Sequence, residues 1–191
     1  MKKNRIKPLP LPLSEDIQSS MNKIFPTNLP SPNLYRLVAR NKALWMDLVD
    51  AKIIGRTGLF NKKRLPPELR EKIILRTCVA AKNDYEYALH IETISLQMGL
   101  TKSQIADVRN VKLNPNYWSA ADLVLFQLID GLVHKIEVTQ ATFDQLKQHF
   151  SEENLLDITF IVGLYTGVAM TVALGQPAFD NYREFGNKPQ R

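Results

Sequence analysis

The fold is decided by residues 65–100, which read LPPELREKIILRTCVAAKNDYEYALHIETISLQMGL. Two prolines near the start of this stretch, followed by acidic residues, predict a helix that runs to about Ala81. Asn83 or Asp84 then caps a second helix, which we predict to run to about Met98, just before a glycine. Because only a few residues separate the two helices, the stretch predicts a helical hairpin.

The rest of the chain also reads as a series of helices. Each predicted helix begins after a residue that favours the N-cap position, and these residues are Ser14, Asn33, Thr101, Ser119, Thr139 and Ser151. Thr101 is further predicted to form a capping box with Gln104. The segment after Asn33 is predicted to form one helix over residues 34–53. Since no segment combines sustained alternation of apolar and polar residues with turn residues, we predict an all-α fold.

The length and composition are those of one folded domain. The chain has 191 residues, of which 45% are hydrophobic and 23% are charged. Prolines alternate with leucines near the N-terminus, which predicts an extended arm over residues 1–13. We therefore expect this arm, a single helical domain over residues 14–177, and a C-terminal tail over residues 178–191.

The net charge of +6 comes from the two ends of the chain rather than from a basic surface. Six residues account for it, namely Lys2, Lys3, Arg5, Lys7, Lys188 and Arg191. The body between them is neutral by this count. Because binding to a phosphate backbone needs Lys and Arg gathered on one face, we expect no nucleic-acid partner.

The compartment is predicted from the cysteine content and the apolar segments. A single cysteine excludes an intramolecular disulfide and fits a reducing compartment, so we expect a cytoplasmic protein. Prolines interrupt the apolar part of the N-terminus, which makes it a poor signal peptide. The longest apolar run, residues 160–174, is shorter than the roughly 20 residues that cross a bilayer. We predict a buried helix there and no membrane partner.

Small residues recur at every fourth position of this last helix, at Gly163, Gly167, Thr171 and Gly175. Glycine inside a helix costs roughly 1 kcal/mol relative to alanine, so a packing reason is expected. Small side chains let a neighbouring helix approach closely. The neighbouring helix could equally belong to the same chain or to another subunit.

Three residues of the hairpin form the candidate catalytic group, Glu71, Glu86 and His90. Glu86 and His90 are four residues apart and therefore face the same side of one helix. A carboxylate beside an imidazole makes a proton-transfer pair. If the turn at Lys82 to Asp84 folds the two helices into a hairpin, Glu71 of the preceding helix approaches the same point.

Each of these residues also has an ordinary structural explanation. Asn83 and Glu86 have the N-x-x-E spacing of a capping box, Glu71 suits the helix dipole, and His90 could form a hydrogen bond inside the core. Caps and satisfied core histidines are the commoner events. Spacing alone therefore does not establish a site.

Other chemically active residues give weaker signals. Cys78 lies among apolar residues, which favours packing over reactivity. His134 and His149 have no metal-ligand partners at helical spacing, so we predict no metal site. The sequence contains neither a Gly-rich phosphate loop nor a G-x-S-x-G nucleophile motif.

Residues 65–108 resemble the carboxymuconolactone decarboxylase family, which includes the alkylhydroperoxidase D-like proteins. The matching features are Leu-Pro before Arg70-Glu71, Tyr85-Glu86-x-x-x-His90, and Gly99-Leu100 before a short helix. A weaker likeness extends over roughly residues 30–175. The resemblance implies an all-α fold built on helical hairpins and a homo-oligomer, as a dimer, trimer or hexamer.

The sequence departs from the peroxidase branch of this family. That branch carries cysteines at the positions of Asn83 and Glu86, and a histidine at the position of Tyr85. Dithiol peroxidase chemistry needs two sulfurs that can form a disulfide, and this chain has one cysteine. We therefore reject dithiol peroxidase activity.

The decarboxylase branch, which has Glu and His on this helix, is the closer match. It implies a lyase that performs acid–base chemistry on a small carbonyl or lactone substrate without a cofactor. In this interpretation His90 moves a proton, Glu86 orients the imidazole of His90, and Glu71 completes a proton relay. Asn83 and Tyr85 are the predicted substrate-binding residues.

Decarboxylation also needs positive charge near the substrate. Loss of carbon dioxide leaves an enolate, which a nearby acid protonates and cations stabilise. Arg70 or Arg76 is a candidate to bind the substrate carboxylate. The sequence does not decide which of the two faces the cleft.

Two alternatives remain open at this point. One is a helical oligomeric scaffold without chemistry, in which Glu71, Glu86 and His90 cap and connect helices. The other is a peroxidase that uses Cys78 alone, which needs an exposed and acidic thiol. A solvent-reachable pocket at His90 favours an enzyme, whereas a sealed environment favours the scaffold.

Overall fold

The computed structural model describes residues 4–55, 58–59 and 62–182. In this part of the chain all regular secondary structure is helical, which confirms the all-α prediction. The helices are α1 (Glu15–Ile24), α2 (Asn33–Val38), α3 (Lys42–Asp50), α4 (Pro67–Ala80), α5 (Asp84–Thr93), α6 (Lys102–Asp107), α7 (Ala120–Lys135), α8 (Gln140–Leu146) and α9 (Glu152–Gly175). Residues 1–3 of the predicted arm and 183–191 of the predicted tail lie outside the described residues.

The helices group into two compact units. The larger unit extends from Arg64 to Met170 and contains α4 to α8 with most of α9. Within it, α4 packs against both α5 and α7. The smaller unit contains α1 to α3 and the end of α9 from Thr171 onward.

The smaller unit has its own apolar core around Trp45 of α3. The Trp45 side chain is fully buried, and its indole Nε1 donates a hydrogen bond to Ser20 Oγ at 2.7 Å. Leucines of the proline-rich arm pack against this core, and the backbone N–H of Leu9 donates to the carbonyl of Arg36 at 3.1 Å. The arm is therefore attached to its unit through both side chains and backbone.

The helix predicted over residues 34–53 is wrong, because the structure divides it into α2 and α3. Asn41 lies at the break, where its side chain accepts a hydrogen bond from the backbone N–H of Leu44 at 3.1 Å. Asparagine competes for backbone donors in this way and so favours a new helix start over continuation. The prediction that Asn33 is an N-cap is also wrong, since Pro32 holds that position.

The hairpin of α4 and α5 has the predicted turn. The backbone N–H of Asn83 donates to Cys78 O at 2.7 Å and that of Lys82 donates to Val79 O at 3.1 Å, which is the Schellman pattern of a helix C-terminus. Lys82 takes the left-handed conformation, with φ 55°. Asn83 then caps α5 by accepting from the backbone N–H of Glu86 at 3.2 Å. Three residues, Ala81, Lys82 and Asn83, thus connect the two helices and reverse the chain direction.

The predicted end of α5 is corrected. The helix stops at Thr93 rather than near Met98. At Ile94 the backbone leaves the helical region, and the side chain of Ser95 turns inward to a buried carboxylate of α4. A buried acceptor on the neighbouring helix therefore competes with continuation of the helix. Farther along, Thr101 forms the predicted capping box with Gln104.

The last helix is not buried as predicted. One face of α9 packs into the protein through residues such as Ile158, Ile161 and Val162, whereas large apolar residues on the opposite face are exposed. The helix is long and apolar enough to cross a membrane by length and composition, and 28% of its most apolar window is buried. Helices in the cores of soluble proteins pass the same test, so it carries little weight.

The recurring small residues of α9 have different surroundings. A Cβ added at Gly175 would lie 2.3 Å from Leu37 Cδ1, so the same chain packs closely there. A Cβ added at Gly163 or Gly167 would meet no described atom within 4 Å beyond its own stretch of helix. Close packing within the chain therefore accounts for glycine at Gly175.

Candidate active site

The hairpin brings the three predicted catalytic residues together. His90 Nδ1 lies 3.0 Å from Glu71 Oε1 and 3.1 Å from Glu71 Oε2, and its other ring nitrogen, Nε2, lies 3.5 Å from Glu86 Oε1. The Glu71 contact joins α4 to α5, whereas Glu86 and His90 stand one turn apart on α5. One imidazole is thus placed between two carboxylates.

Ser95 completes the surroundings of Glu71, and the sequence did not reveal it. Its hydroxyl donates a hydrogen bond to Glu71 Oε1 at 2.6 Å. Neither Glu71 nor Ser95 is exposed to solvent. Ser95 falls within the segment predicted to continue α5, so no pattern in the sequence marked it.

Tyr165 of α9 covers the other side of the imidazole and was also missed. Its hydroxyl lies 3.5 Å from His90 Nε2, and the two rings meet edge to face with centroids 5.6 Å apart. Tyr165 belongs to the long apolar run, where only its phenol distinguishes it from its neighbours. Since it is half-buried, Tyr165 lies between His90 and the surface.

The charges of this group follow from its burial and its hydrogen bonds. Burial disfavours a charged imidazole, but the two carboxylates outweigh it and raise the pKa of His90 to about 10. Burial likewise disfavours a charged Glu71, but the positive imidazole and the hydrogen bonds from His90 and Ser95 lower the pKa of Glu71 overall. The pair is therefore an imidazolium–carboxylate ion pair at neutral pH, and Nδ1–H donates to Glu71.

Two buried polar atoms at the start of α5 have no hydrogen-bond partner among the residues that the structure describes. They are Glu86 Oε2 and Asn83 Nδ2. Only one half of the predicted capping box forms. Asn83 caps α5, but the Glu86 carboxylate lies against His90. Buried polar groups without partners are rare, and at a site they indicate capacity to bind a ligand or water.

The remaining predicted residues have different surroundings. Tyr85 is buried on α5. Arg76 is not available to a substrate carboxylate, because its guanidinium pairs with Asp130 and donates to two backbone carbonyls, so that prediction is wrong for Arg76. Arg70 remains close enough to Glu71 to contribute to its lowered pKa.

Cys78 has the properties of a packing residue. Its side chain is 1% exposed, and burial together with the charges of Glu86 and Glu71 raises the pKa of the thiol well above its usual value. Because the thiolate is the reactive form, this environment argues against a peroxidase that uses Cys78. Within the described residues, no group of three or more His, Cys, Asp and Glu side chains is arranged to hold a metal ion.

The candidate site is nearly sealed from solvent, and by the criterion of solvent access this environment favours the scaffold over the enzyme. The side chains of His90 and Glu86 are 6% and 9% exposed. A surface pocket of about 300 Å³ is lined by residues of α7 and α8 together with the loop between them, and it contains none of the three predicted catalytic residues. Tyr165, whose hydroxyl lies 3.5 Å from His90 Nε2, is one of the side chains that restrict access to this nitrogen.

Known proteins share this fold. The carboxymuconolactone decarboxylase family profile matches residues 48–129. The structure is similar to the apo form of the debrominase Bmp8, with a TM-score of 0.76 and 15% identity over 97% of each chain. A cysteine-to-alanine variant of Bmp8 in complex with 2,3,4-tribromopyrrole gives a TM-score of 0.70 and 17% identity over 96% of each chain.

A further similar structure is an uncharacterised peroxidase-related protein from Silicibacter sp. TM1040, with a TM-score of 0.75 and 15% identity over 96% of each chain. At such identities the likeness concerns the fold. No curated protein shows significant sequence similarity to the chain. The profile match over residues 48–129 agrees with the family resemblance of the hairpin, and the similarity of fold to the solved structures extends over nearly the whole chain.

Proposed function

We propose that this protein is a cofactor-free enzyme that transfers protons on a small carbonyl or lactone substrate, with decarboxylation as the reaction. The observation that carries the proposal is the geometry around His90. Glu71 fixes Nδ1, while Nε2 faces the Glu86 carboxylate, whose Oε2 is buried without a partner. An imidazolium with one nitrogen anchored and the other directed at an unsatisfied carboxylate is suited to general acid–base chemistry.

The geometry changes the roles predicted for the two glutamates. Glu71, rather than Glu86, orients the imidazole, because its carboxylate holds Nδ1 and is itself held by Ser95. His90 then acts as the acid through Nε2–H. Glu86 lies on the Nε2 side and is the group available to accept a proton from the substrate or from water.

The proposed reaction proceeds in two steps. The bond between the carboxylate carbon and the α-carbon breaks, carbon dioxide leaves, and the electron pair moves onto the neighbouring carbonyl as an enolate. The imidazolium of His90 stabilises this negative charge and gives its Nε2 proton to the enolate, and water restores the proton to His90. The net reaction consumes one proton and releases one carbon dioxide.

Substrate binding is assigned to the turn between the two helices. The unpartnered Nδ2 of Asn83 is a buried donor for a substrate oxygen, and it belongs to the residue that caps the helix of His90. Tyr85 follows two residues later on the same hairpin. Tyr165 must leave Nε2 as the substrate enters. The contact of its hydroxyl with Nε2 is at the 3.5 Å limit of a hydrogen bond and is therefore weak.

The test is an assay of proton exchange and decarboxylation on a panel of small β-keto acids and carboxylated lactones. Carbon dioxide release and deuterium uptake from D₂O are followed by NMR. We expect His90→Gln and Glu86→Gln each to lower the rate by about 100-fold or more, since general acid–base groups contribute factors of this size. The matched control is His149→Gln, an exposed histidine, which should retain wild-type activity.

The same experiment examines the scaffold alternative. A scaffold predicts that wild type neither exchanges protons nor releases carbon dioxide from any member of the panel, while His90→Gln only lowers the melting temperature. That result, or equal rates for wild type and His90→Gln, contradicts the proposed function.

A further inference from the structure

Ser95 holds the carboxylate of Glu71 at a place that solvent does not reach. Its hydroxyl donates to Glu71 Oε1 at 2.6 Å, a short distance that is typical of a hydroxyl bound to a charged carboxylate. Both residues are 0% exposed. The hydroxyl thus supplements the contacts of the carboxylate with His90 Nδ1, at 3.0 and 3.1 Å, and bulk water does not stand in for it.

The backbone of Ser95 is fixed by His90 itself. Its N–H donates to the carbonyl of His90 at 3.0 Å, and the N–H of Ile94 donates to the same carbonyl at 2.8 Å. Ser95 therefore contacts the backbone of His90 and also, through its hydroxyl, the carboxylate that binds the His90 side chain. The contacts form a closed ring, from His90 Nδ1 to Glu71, from Glu71 to Ser95 Oγ, and from the Ser95 N–H back to His90.

We propose that Ser95 is a positioning residue of the candidate site, which keeps Glu71 ionised and thereby keeps the Nδ1 proton on His90. The inference rests on the proposed acid–base function, in which an imidazolium gives up its Nε2 proton. A buried carboxylate stays charged only when hydrogen-bond donors or positive charges compensate for its lost hydration. For Glu71 these include the imidazolium of His90 and the Ser95 hydroxyl.

Without the hydroxyl, a second arrangement of the proton becomes more favourable. The Nδ1 proton can cross the 3.0 Å contact to Glu71 Oε1, which leaves a neutral imidazole beside a neutral carboxylic acid. Both arrangements hold the same number of protons, so the balance depends on which form the neighbouring groups stabilise. A hydrogen bond to a charged group contributes more than one to a neutral group, so losing the hydroxyl favours the neutral pair by about 10-fold.

The early end of α5 also supports the charged pair. The helix ends at Thr93, so His90 lies in its last turn, where the negative end of the helix dipole favours an imidazolium. In a helix continued through residue 95, the Ser95 side chain would point about 140° away from that of His90. Its hydroxyl would then leave the side on which His90 meets Glu71. The irregular backbone after Thr93 is therefore what lets Ser95 reach the carboxylate.

Other charged and titratable groups surround the pair on the helices packed around it. They are Arg70 and Cys78 on α4, Glu86 on α5, Tyr165 on α9, and the ion pairs Lys72–Asp122 and Arg76–Asp130 between α4 and α7. Arg70 favours the ionised form of Glu71, and Glu86 favours the charged form of His90. All of these groups are retained when Ser95 is replaced, so a comparison of Ser95 variants isolates the hydroxyl.

The first test measures how the effect of the hydroxyl depends on pH. Because Ser95 stabilises ionised Glu71, its contribution to stability should be present at neutral pH and should decline in acid, as Glu71 takes up a proton. The urea midpoints of wild type and Ser95→Ala should therefore draw closer towards the acid limit of folding. Ser95→Thr keeps the hydroxyl and should show the pH dependence of wild type. Ser103→Ala, at an exposed serine, is the matched control and should differ from wild type equally at every pH.

The second test uses the assays of carbon dioxide release and deuterium uptake. A residue that acts through Glu71 and His90 without touching the substrate should change kcat more than KM. We expect Ser95→Ala to lower kcat by about 10-fold and to move the acidic limb of the pH–rate profile to higher pH, because Glu71 then takes up a proton more readily. Ser95→Thr should recover both properties.

Three outcomes overturn the role of Ser95. The first is a stability difference between wild type and Ser95→Ala that does not change with pH, as a packing role predicts. The second is a Ser95→Thr variant whose pH dependence follows that of Ser95→Ala. The third is an active wild type whose kcat Ser95→Ala leaves unchanged.

Failure of the proposed function is seen separately. If the pH-dependent stability difference is present but wild type acts on no member of the substrate panel, Ser95 controls the ion pair and the acid–base enzyme is wrong.

Discussion

At the scale of single residues, the reactivity of Cys78 distinguishes the hypothesis of an acid–base enzyme from that of a thiol peroxidase. Its thiol is buried, and burial with the neighbouring carboxylates of Glu86 and Glu71 raises its pKa. Because the thiolate is the form that reacts with alkylating agents and peroxides, we expect the native thiol to be inert. Iodoacetamide at neutral pH should modify it on the order of 100-fold more slowly than in the unfolded chain, since modification must wait for local opening.

A matched control comes from a second cysteine placed on the surface. Ser103 is exposed near the start of α6, so Ser103→Cys should be modified at the rate of a free thiol in the same protein in which Cys78 stays unmodified. Mass spectrometry of peptides reports the two positions separately. Rapid modification of Cys78 in folded wild type would restore the peroxidase hypothesis.

At the scale of helices, Arg76 ties α4 to α7 and to the end of α6. Its guanidinium donates to the carboxylate of Asp130, to Val108 O at 2.9 Å and to Asn110 O at 3.2 Å. Arg76→Met keeps the length of the side chain but leaves these acceptors without their donor. We expect the free energy of unfolding to fall by about 2 kcal/mol, a value reduced from that of a fully buried pair because Asp130 is partly exposed.

Urea denaturation measures this change, and Arg109→Met is its matched control. Arg109 pairs with Asp84 at 2.7 Å, but both side chains are largely exposed. An exposed pair contributes less than about 1 kcal/mol. Equal losses for the two arginine variants would contradict the assigned role of Arg76.

Local sequence signals predicted the helices well where backbone capping decides their ends. The capping box at Thr101 and the turn after α4 depend on residues adjacent in the chain, and both occur as predicted. The end of α5 was wrong because a buried carboxylate of another helix attracts Ser95. The exposure of α9 was missed because an apolar sequence does not tell which of its faces the rest of the chain covers.

In the candidate site, too, the residues predicted from the sequence are those that lie close together along the chain. Glu71, Glu86 and His90 lie within one hairpin, so helical spacing and a short turn were enough to place them together. Ser95 and Tyr165 reach the site from a loop and from a distant helix. Such contacts depend on tertiary packing, which no spacing within the chain encodes.

At the scale of the whole molecule, the buried ion pair should appear in the dependence of stability on pH. His90 has a pKa of 6.5 when unperturbed and about 10 in the fold, so between these values the native state keeps a proton that the unfolded state has lost. Stability therefore falls as pH rises, by up to about 1.4 kcal/mol per pH unit. The pKa of Glu71 is lowered by folding, so its contribution is present above its unperturbed value of 4.5 and is lost in acid.

The free-energy difference between wild type and Glu71→Gln should therefore be largest between about pH 5 and pH 6.5 and should shrink towards pH 10. The glutamine keeps the shape of the side chain but removes one of the two carboxylate charges that hold the proton on His90, the one with the larger effect. Urea denaturation across this range, with the exposed Glu137→Gln as control, measures the difference. Parallel curves for wild type and Glu71→Gln above pH 6.5 would show that His90 is neutral in the fold. The acid in the proposed reaction would then have to be another group.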